Sequence, residues 1–256
     1  MPEHTSFLTH LVLAHFKDML SQNAAALGET FVAHRAVTWH NFEPLATSLM
    51  ILLILVGIGM SVRSRIVKSD AVVPDESLTL RTFVEVFLDY FYTLAKDVMD
   101  AKRAKKYFPL IGTSACFVFC ANVMALLPGF PVATTSFSIT LGSALVVFIL
   151  FNLYGLRENG VGYFKHLAGP VWYLAPLVFP IELISLFVRP ITLALRLMLN
   201  MSVDHLLLAI FMGFLTLLVP IPIVLLEIVV VLVQTLVFTL LTCIYIGLAT
   251  EHEEHH

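Results

Sequence analysis

The sequence carries very little charge for its length. Only 13% of its 256 residues are Asp, Glu, Lys or Arg, whereas 59% are hydrophobic. A soluble domain of this size could not cover its surface with so few charged side chains. Between residues 107 and 156 no charged side chain occurs, and such a stretch can cross the roughly 30 Å hydrocarbon core of a bilayer twice. The chain is therefore predicted to be a polytopic membrane protein.

Other absences exclude further classes of protein. The three cysteines, Cys116, Cys120 and Cys243, all lie within apolar segments, so a disulfide framework is not expected. The net charge of -3 gives no reason to expect nucleic acid as a partner. The sequence contains no nucleotide-binding loop and no nucleophile elbow, so we predict no catalytic residue in this chain. We also predict no cofactor and no metal site, because the histidine-rich tail is more typical of a flexible polar terminus.

Hydrophobic runs separated by charged segments predict an all-α fold with five transmembrane helices. The predicted spans are residues 45–62, 107–127, 136–156, 180–219 and 223–249. Between the first two, residues 75–100 carry charged side chains on one side of a helix and phenylalanines on the other. That pattern predicts an interfacial amphipathic helix on the membrane surface. Residues 1–42 are predicted to form an N-terminal extracytoplasmic segment ahead of a membrane domain over 43–256.

The fourth span is too long to cross a membrane upright. A helix over residues 180–219 would measure roughly 60 Å at 1.5 Å per residue, about twice the thickness of the hydrocarbon core. It is therefore predicted to tilt strongly, to bend or to lie partly in the membrane plane, paired with the last helix.

The positions of lysine and arginine predict the orientation of the chain. Of 15 such residues, 11 fall in segments that the proposed topology puts on one side of the membrane. Only Lys17 and Arg35 fall in the opposite N-terminal segment. Basic loops are retained in the cytoplasm, so the N-terminus is predicted outside and the C-terminus inside.

Few ionisable residues remain at membrane depth, and they recur at helical spacing. They are Glu182, Arg189, Arg196, Asp204, His205 and Glu227. Burying an Asp, Lys or Arg at a helix centre costs at least about 2.5 kcal/mol, so such residues point to function. On the fourth span, residues 182, 189, 196, 200 and 204 share one face within about 80° of arc. On the last span, Glu227 and Gln234 are seven residues apart and share a face.

The chemistry of these side chains indicates a proton route interrupted by a fixed cation. Arg196 cannot lose its proton in a protein, so it is a poor proton carrier but a permanent positive charge. Glu227 and His205 can both titrate when they are partly buried beside water. The combination predicts a path for protons that is interrupted by a fixed positive charge, which protons cannot pass.

At these residues the sequence resembles subunit a of the rotary ATP synthase. The family's arginine lies in a pattern like R-L-F-G-N-M-x-A-G, and the stretch RLMLNMSVD agrees with it at Arg196, Leu197, Asn200 and Met201. The family's downstream glutamine matches Gln234, and PIELIS upstream is similar to the family's P-x-E-x-I-S. The resemblance covers the chain from about residue 43 onward.

The resemblance implies a proton-conducting stator subunit that is not itself catalytic. In the family, a long helix packs against a rotating c-ring whose subunits each supply one essential carboxylate, and two aqueous half-channels reach the ring from opposite sides. Arg196 would lie between the half-channels and prevent a direct leak, and Glu182 would lie at the cytoplasmic exit. The residues implied to line the outside-facing half-channel are Asn200, His205, Glu227 and Gln234, with His205 and Glu227 as a relay pair.

The resemblance also implies where the chain resides and what it contacts. The implied partners are the c-ring, the b subunits of a peripheral stalk and the lipid bilayer. The implied location is a bacterial inner membrane, with an organellar energy-transducing membrane as the alternative. A stand-alone secondary cation transporter, which also uses acids near mid-membrane, is the alternative function.

The sequence departs from the family pattern at several positions. Leu199 and Asp204 stand where the family usually has glycine, and two interpretations of Asp204 are open: it extends the proton route, or it tunes the local pKa. The third span offers Ser136 and Ser138 where many members carry Asp and Asn, so the inlet is expected to use hydroxyls, Asn122 and water. Three alternatives remain open: an ion pair between Arg196 and Asp204, an Arg189 that reaches lipid head groups, and an Asn122 that merely hydrogen-bonds between helices.

Overall fold

The computed structural model describes residues 43–68, 79–126, 133–160, 175–214 and 220–250, and within these ranges the chain is entirely helical. The helices are α1 (Glu43–Lys68), α2 (Leu80–Val98), α3 (Ala101–Ala125), α4 (Phe137–Asn159), α5 (Ala175–Phe214) and α6 (Pro220–Ala249). A short 3-10 helix, Ala133–Thr135, precedes α4. The predicted segment 1–42 and the histidine-rich tail lie outside the described residues.

Five of these helices are long and apolar enough to cross a membrane. Their apolar sections are Pro44–Ser64, Ala101–Ala125, Phe137–Asn159, Leu177–Asp204 and Pro222–Ala249. Helices suit this composition because each satisfies its own backbone hydrogen bonds, which lipid cannot do. The prediction of an all-α polytopic membrane protein with five spans is confirmed. The strong tilt of the fourth span stays a prediction.

Two helices begin at least five residues earlier than the sequence pattern predicts. Helix α3 starts at Ala101 rather than near residue 107, so the basic run AKRAKK forms its first turns. Asp100 is the N-cap residue, and its carboxylate lies 3.0 Å from a guanidinium nitrogen of Arg103. Helix α5 starts at Ala175 rather than at Pro180. The apolar residues before Pro180 are helical because unpaired backbone N–H and C=O groups are costly in lipid. Leaving this whole segment unpaired would cost more free energy than the one hydrogen bond lost at the proline.

Helix α2 has the amphipathic character that the sequence predicts, and it packs on α3. Thr79 caps its N-terminus, because its hydroxyl accepts a hydrogen bond from the Thr82 amide at 3.4 Å. Gly112 of α3 allows close approach, because a Cβ there would lie 3.4 Å from a methyl of Leu88. One member of the predicted charged side is buried, however. Arg81 is 4% exposed and forms an ion pair of 2.7 Å with Glu85.

The core of the bundle is formed by α3, α4, α5 and α6. Large buried side chains from all four helices share one cluster, including Ile111, Val118, Val147, Phe151, Leu193, Leu197, Phe238 and Ile246. At one end of the bundle, Lys106 and Tyr107 of α3 both donate hydrogen bonds to the Glu158 carboxylate of α4. The amide nitrogen of Asn159 donates to the Ala249 carbonyl of α6 at 3.2 Å. These bonds join the ends of three spans and fix the register between them.

Candidate functional site

Arg196 lies on an exposed, mostly apolar stripe of α5. Its side chain is exposed, and the residues that share the stripe include Val188, Leu199, Val203 and Leu206, each more than 40% exposed. Arg196 and Asp204 both belong to the described part of α5, and no ion pair joins them there. The alternative of a structural ion pair between these two residues is therefore wrong. A permanent positive charge at the surface of an apolar helix is available to an anionic group from outside the chain.

One turn after Arg196, a hydrogen bond joins α5 to α6. The Asn200 amide nitrogen donates to the side-chain oxygen of Gln234 at 2.6 Å. Gln234 is buried, and no hydrogen-bond acceptor for its amide nitrogen lies among the described residues. Buried amide donors in proteins commonly bind ordered water. The structure thus brings Asn200 and Gln234 into contact. The sequence had related them only through their positions on the two predicted helices.

Two carboxyl groups are buried beyond this bond. Asp204 on α5 is 8% exposed and Glu227 on α6 is 2% exposed. A buried carboxyl can be ionised in an apolar interior only where partners compensate its charge. The sequence paired Glu227 with His205, whose side chain lies outside the described residues.

The neighbouring part of α3 adds a buried amide to the same region. Ala125 of α3 packs in one cluster with Met201 of α5 and Val231 of α6. Asn122 is three residues earlier on the same face and is fully buried. Neither polar atom of its side chain has a hydrogen-bond partner among the described residues. Asn122 therefore does not act as an interhelical hydrogen bonder to any described residue, and its amide suits a water-lined path.

Thr134 is a polar residue that the sequence analysis missed. It lies in the 3-10 helix before α4, is 2% exposed, and its hydroxyl has no partner within the described ranges. The two serines predicted to line the proton inlet differ from Thr134. Ser138 is exposed, and Ser136 lies at the start of α4. The polar run TTSFSIT, which contains Thr134, was the only signal in the sequence. It does not say which of its hydroxyls is buried, because that depends on where the following helix starts.

Glu182 belongs to a different group of side chains. Its carboxylate lies 3.1 Å from a guanidinium nitrogen of Arg189 on the same helix. The guanidinium of Arg189 also lies over the ring of Tyr245 on α6, 5.4 Å from its centroid. The interpretation of Arg189 as a residue that only reaches lipid is therefore wrong. Glu182 precedes Arg196 by roughly 21 Å along the helix, so the acid and the exposed cation are separate features.

Together these residues divide α5 into two polar regions on either side of Arg196. One contains Asn200, Gln234, Asp204 and Glu227, and the other contains Glu182 with Arg189. Among the described residues, no three His, Cys, Asp or Glu side chains converge as a metal site. The carboxyl groups in these regions can gain and lose protons, whereas the guanidinium group of Arg196 between them cannot.

Comparison with known proteins decides the family. The model of the ATP synthase A chain family matches residues 45–247. An ATP synthase subunit a of Sorangium cellulosum is 54% identical over 257 residues, covering the whole of both chains. A subunit a of Syntrophotalea carbinolica is 43% identical over 202 residues, covering 79% of this chain and 83% of that one.

The chain belongs to the ATP synthase A chain family.

The family membership gives the two polar regions their context. Arg196 and Asn200 match the family's arginine pattern and lie one turn apart on α5, and Asn200 bonds to Gln234, which matches the family's downstream glutamine. Asp204, where the pattern usually has glycine, is buried in the same region with Glu227. Leu199, the other departure, is exposed on the apolar stripe next to Arg196. The departures thus fall on opposite sides of α5, one toward α6 and one toward the outside.

Proposed function

We propose that this chain is the non-catalytic, proton-conducting stator subunit of an ATP synthase. The observation that carries the proposal is the position of Arg196, exposed on an apolar stripe and one turn from the partly buried Asn200–Gln234 bond. An apolar helix face that exposes one permanent cation suits a partner surface with one carboxylate. In the family that partner is a subunit of the rotating c-ring.

The fixed charge of Arg196 would act in two ways. It would stabilise the ionised form of the ring carboxylate when that group passes, which promotes release of the proton. It would also repel protons, so that the two half-channels are not connected past the ring. A side chain that could lose its proton would fail in the second role, and arginine does not lose its proton in proteins.

The outside-facing half-channel would run through the buried polar region between α5, α6 and α3. Asp204 and Glu227 would share one proton, because ionising both carboxyls in an apolar interior is costly. Asn200, Gln234 and His205 would carry the proton onward to the ring through bound water, and Asn122 and Thr134 would line the entrance. Asp204 would therefore join Glu227 and His205 in the relay.

Glu182 would form the cytoplasmic exit. It lies in the half of α5 before Arg196, and its ion pair with Arg189 holds its carboxylate near the end of the bundle that contains Tyr245. In this arrangement Arg189 positions Glu182 and does not itself move protons. The orientation follows the distribution of basic residues, with the N-terminus outside and the C-terminus in the cytoplasm. The membrane would be a bacterial inner membrane.

The test is Arg196→Ala in the assembled ATP synthase, measured in inverted membrane vesicles. We expect ATP-driven proton pumping to be abolished, whereas ATP hydrolysis by the detached catalytic head is retained. Arg157→Ala is the matched control, because Arg157 is an exposed arginine at the end of α4. Coupled pumping by the Arg196→Ala enzyme would contradict the proposed role.

The partners are tested by purification. A tagged chain should co-purify with the c-ring and the b subunits of the peripheral stalk from solubilised membranes. Ion transport by the isolated chain in liposomes, with no ring present, would instead support a stand-alone secondary transporter. Repeating the pumping assay with and without Na⁺ identifies the ion, and we expect pumping that does not require Na⁺.

A further inference from the structure

The ion pair between Glu182 and Arg189 joins two residues that are seven positions apart on α5. Seven residues correspond to two turns, or roughly 10 Å along the helix, so the arginine side chain must extend along α5 to reach the carboxylate. The pair is only partly buried, with 24% of the Arg189 side chain and 41% of the Glu182 side chain exposed. In an exit lined by water, such a pair contributes little by itself, because ordering a long arginine side chain costs entropy. A further contact is needed to keep the two groups together.

Tyr245 of α6 supplies that contact. The guanidinium carbon of Arg189 lies 5.4 Å from the centroid of the Tyr245 ring, within the distance at which an aromatic face attracts a cation. A guanidinium is planar and its N–H groups point outward in that plane, so contact with a ring leaves these donors available to a carboxylate. The ring therefore restrains Arg189 without competing for the hydrogen bond that Glu182 accepts at 3.1 Å.

The Tyr245 ring is held in turn by α4. Phe151 of α4 is 1% exposed, and its ring centroid lies 5.8 Å from that of Tyr245. Aromatic pairs at this separation stabilise one another beyond the burial of their area. One turn after Tyr245, the Asn159 amide of α4 donates to the Ala249 carbonyl of α6 at 3.2 Å. These two contacts oppose rotation of α6 and keep the ring directed toward Arg189.

We propose that Tyr245 is a positioning residue for the proton exit and acts through its ring, which is supported by Phe151 and keeps the Arg189 guanidinium at the Glu182 carboxylate. The inference rests on the proposed role of Glu182 at the cytoplasmic exit. In this arrangement the Tyr245 hydroxyl carries no proton. Helix α4, which contributes no side chain to either polar region of α5, contributes to the exit through Phe151.

The first experiment compares Tyr245→Leu with Tyr245→Phe in the assembled ATP synthase, by ATP-driven proton pumping in inverted membrane vesicles. Tyr245→Leu should lower pumping about threefold, the factor that corresponds to loss of one partly exposed contact between a cation and a ring. Tyr245→Phe keeps the ring and should retain nearly all of the pumping. Equal losses in the two variants would overturn the proposal, because the hydroxyl would then be the required group.

Tyr154→Leu is the matched control. Tyr154 of α4 packs against the same core as Phe151, but its ring contacts Tyr107 of α3, 4.9 Å away. We expect little change in pumping, because this tyrosine is not in contact with Arg189. A loss as large as that of Tyr245→Leu would overturn the proposal, since any tyrosine of the core would then have the same effect.

A second experiment tests whether Tyr245 acts through Arg189. In an Arg189→Ala background, Tyr245→Leu should cause no further loss of pumping, because the guanidinium that the ring holds is absent. A further loss by the same factor would overturn the proposal, since Tyr245 would then act on helix packing in general. Phe151→Leu leaves Tyr245 intact and is the second variant where Tyr245→Leu does not assemble. It should lower pumping in the presence of Arg189 and not in the Arg189→Ala background.

Glu182→Gln separates this inference from the proposed exit. A loss of pumping in Glu182→Gln with unchanged pumping in Tyr245→Leu would overturn the role of Tyr245 and leave the exit in place. Unchanged pumping in Glu182→Gln would contradict the exit itself, and the inference with it.

Discussion

Asn200 of α5 and Gln234 of α6 are 34 residues apart in sequence and are joined by a hydrogen bond of 2.6 Å. The bond fixes the rotation of α5 against α6 at the level of the exposed arginine. Arg196 lies one turn before Asn200 on α5, so the same bond sets the direction in which this part of the helix presents Arg196. This relationship underlies the first prediction.

Asn200→Ala and Gln234→Ala should be energetically coupled. Hydrogen bonds between membrane helices contribute about 0.6 kcal/mol on average and up to about 1.7 kcal/mol. We expect a coupling energy in that range from a double-mutant cycle on unfolding of the chain in mixed detergent micelles. Thr192→Val with Gln234→Ala is the control, because Thr192 bonds only to carbonyls of its own helix. Additive effects of the first pair would mean that the bond does not join the helices.

Asp204→Gly should keep a substantial part of the proton pumping, because Glu227 and His205 remain. Glu227→Gln should reduce pumping more strongly, by about an order of magnitude or more for loss of a proton-transfer group. ATP-driven pumping in vesicles measures both variants. If Asp204→Gly abolished pumping, the acid would be obligatory in this chain and not an addition to the family's route.

Asp204→Asn should raise the thermal unfolding midpoint of the purified chain. Asp204 is 8% exposed, and a neutral amide of the same shape costs less to bury than a carboxyl group that can ionise. Glu182→Gln is the comparison, because it removes an acid that is paired with Arg189 and should not stabilise the chain. A lower midpoint for Asp204→Asn would show that partners of the carboxyl group more than compensate the cost of burying it.

Tyr107→Phe should destabilise the junction between α3 and α4 by about 1 kcal/mol, the usual net effect of a hydrogen bond. Glu158→Ala should cost more, because it leaves the buried Tyr107 hydroxyl without its acceptor. Lys106→Gln should have a smaller effect, since its ammonium group is exposed to solvent. Unfolding midpoints of the three variants give the order, and an effect of Lys106→Gln equal to that of Glu158→Ala would contradict it.

Arg189→Ala should lower proton pumping severalfold by leaving Glu182 without its cation. Arg189→Lys should retain more of the activity, because it keeps the charge but loses the planar contact with the Tyr245 ring. Arg157→Ala is again a suitable control. Equal activity of Arg189→Ala and the unmodified chain would remove Arg189 from any positioning role.

Much of the fold could be predicted because lipid tolerates few arrangements of the backbone. An apolar run of sufficient length must form a helix there, so the five spans follow from composition. The helix starts were less predictable. Basic residues such as Lys106 extend from a helix end and still reach water, and a proline such as Pro180 removes only one hydrogen bond. The charged run before α3 and the proline in α5 therefore lie inside helices, where a sequence pattern would end them.

The candidate site was predictable only in part. Register and family resemblance identified Arg196, Asn200 and Gln234, because these residues recur at helical spacing. Neither could identify the contact of Arg189 with Tyr245 or the burial of Thr134, because these depend on contacts between segments that are far apart in sequence.

By itself, the sequence determined the class of protein, the number of spans and the presence of a permanent cation in an apolar helix, since these depend on composition and local spacing. Only the tertiary structure decided that Asp204 is buried with Glu227, that Arg189 pairs with Glu182 and contacts Tyr245, and that Arg196 is exposed and not ion-paired with Asp204. The physical reason is that charges act over a few ångströms in space. Which charges come that close is set by the side-chain conformations along α5 and by the packing of α5 on α6.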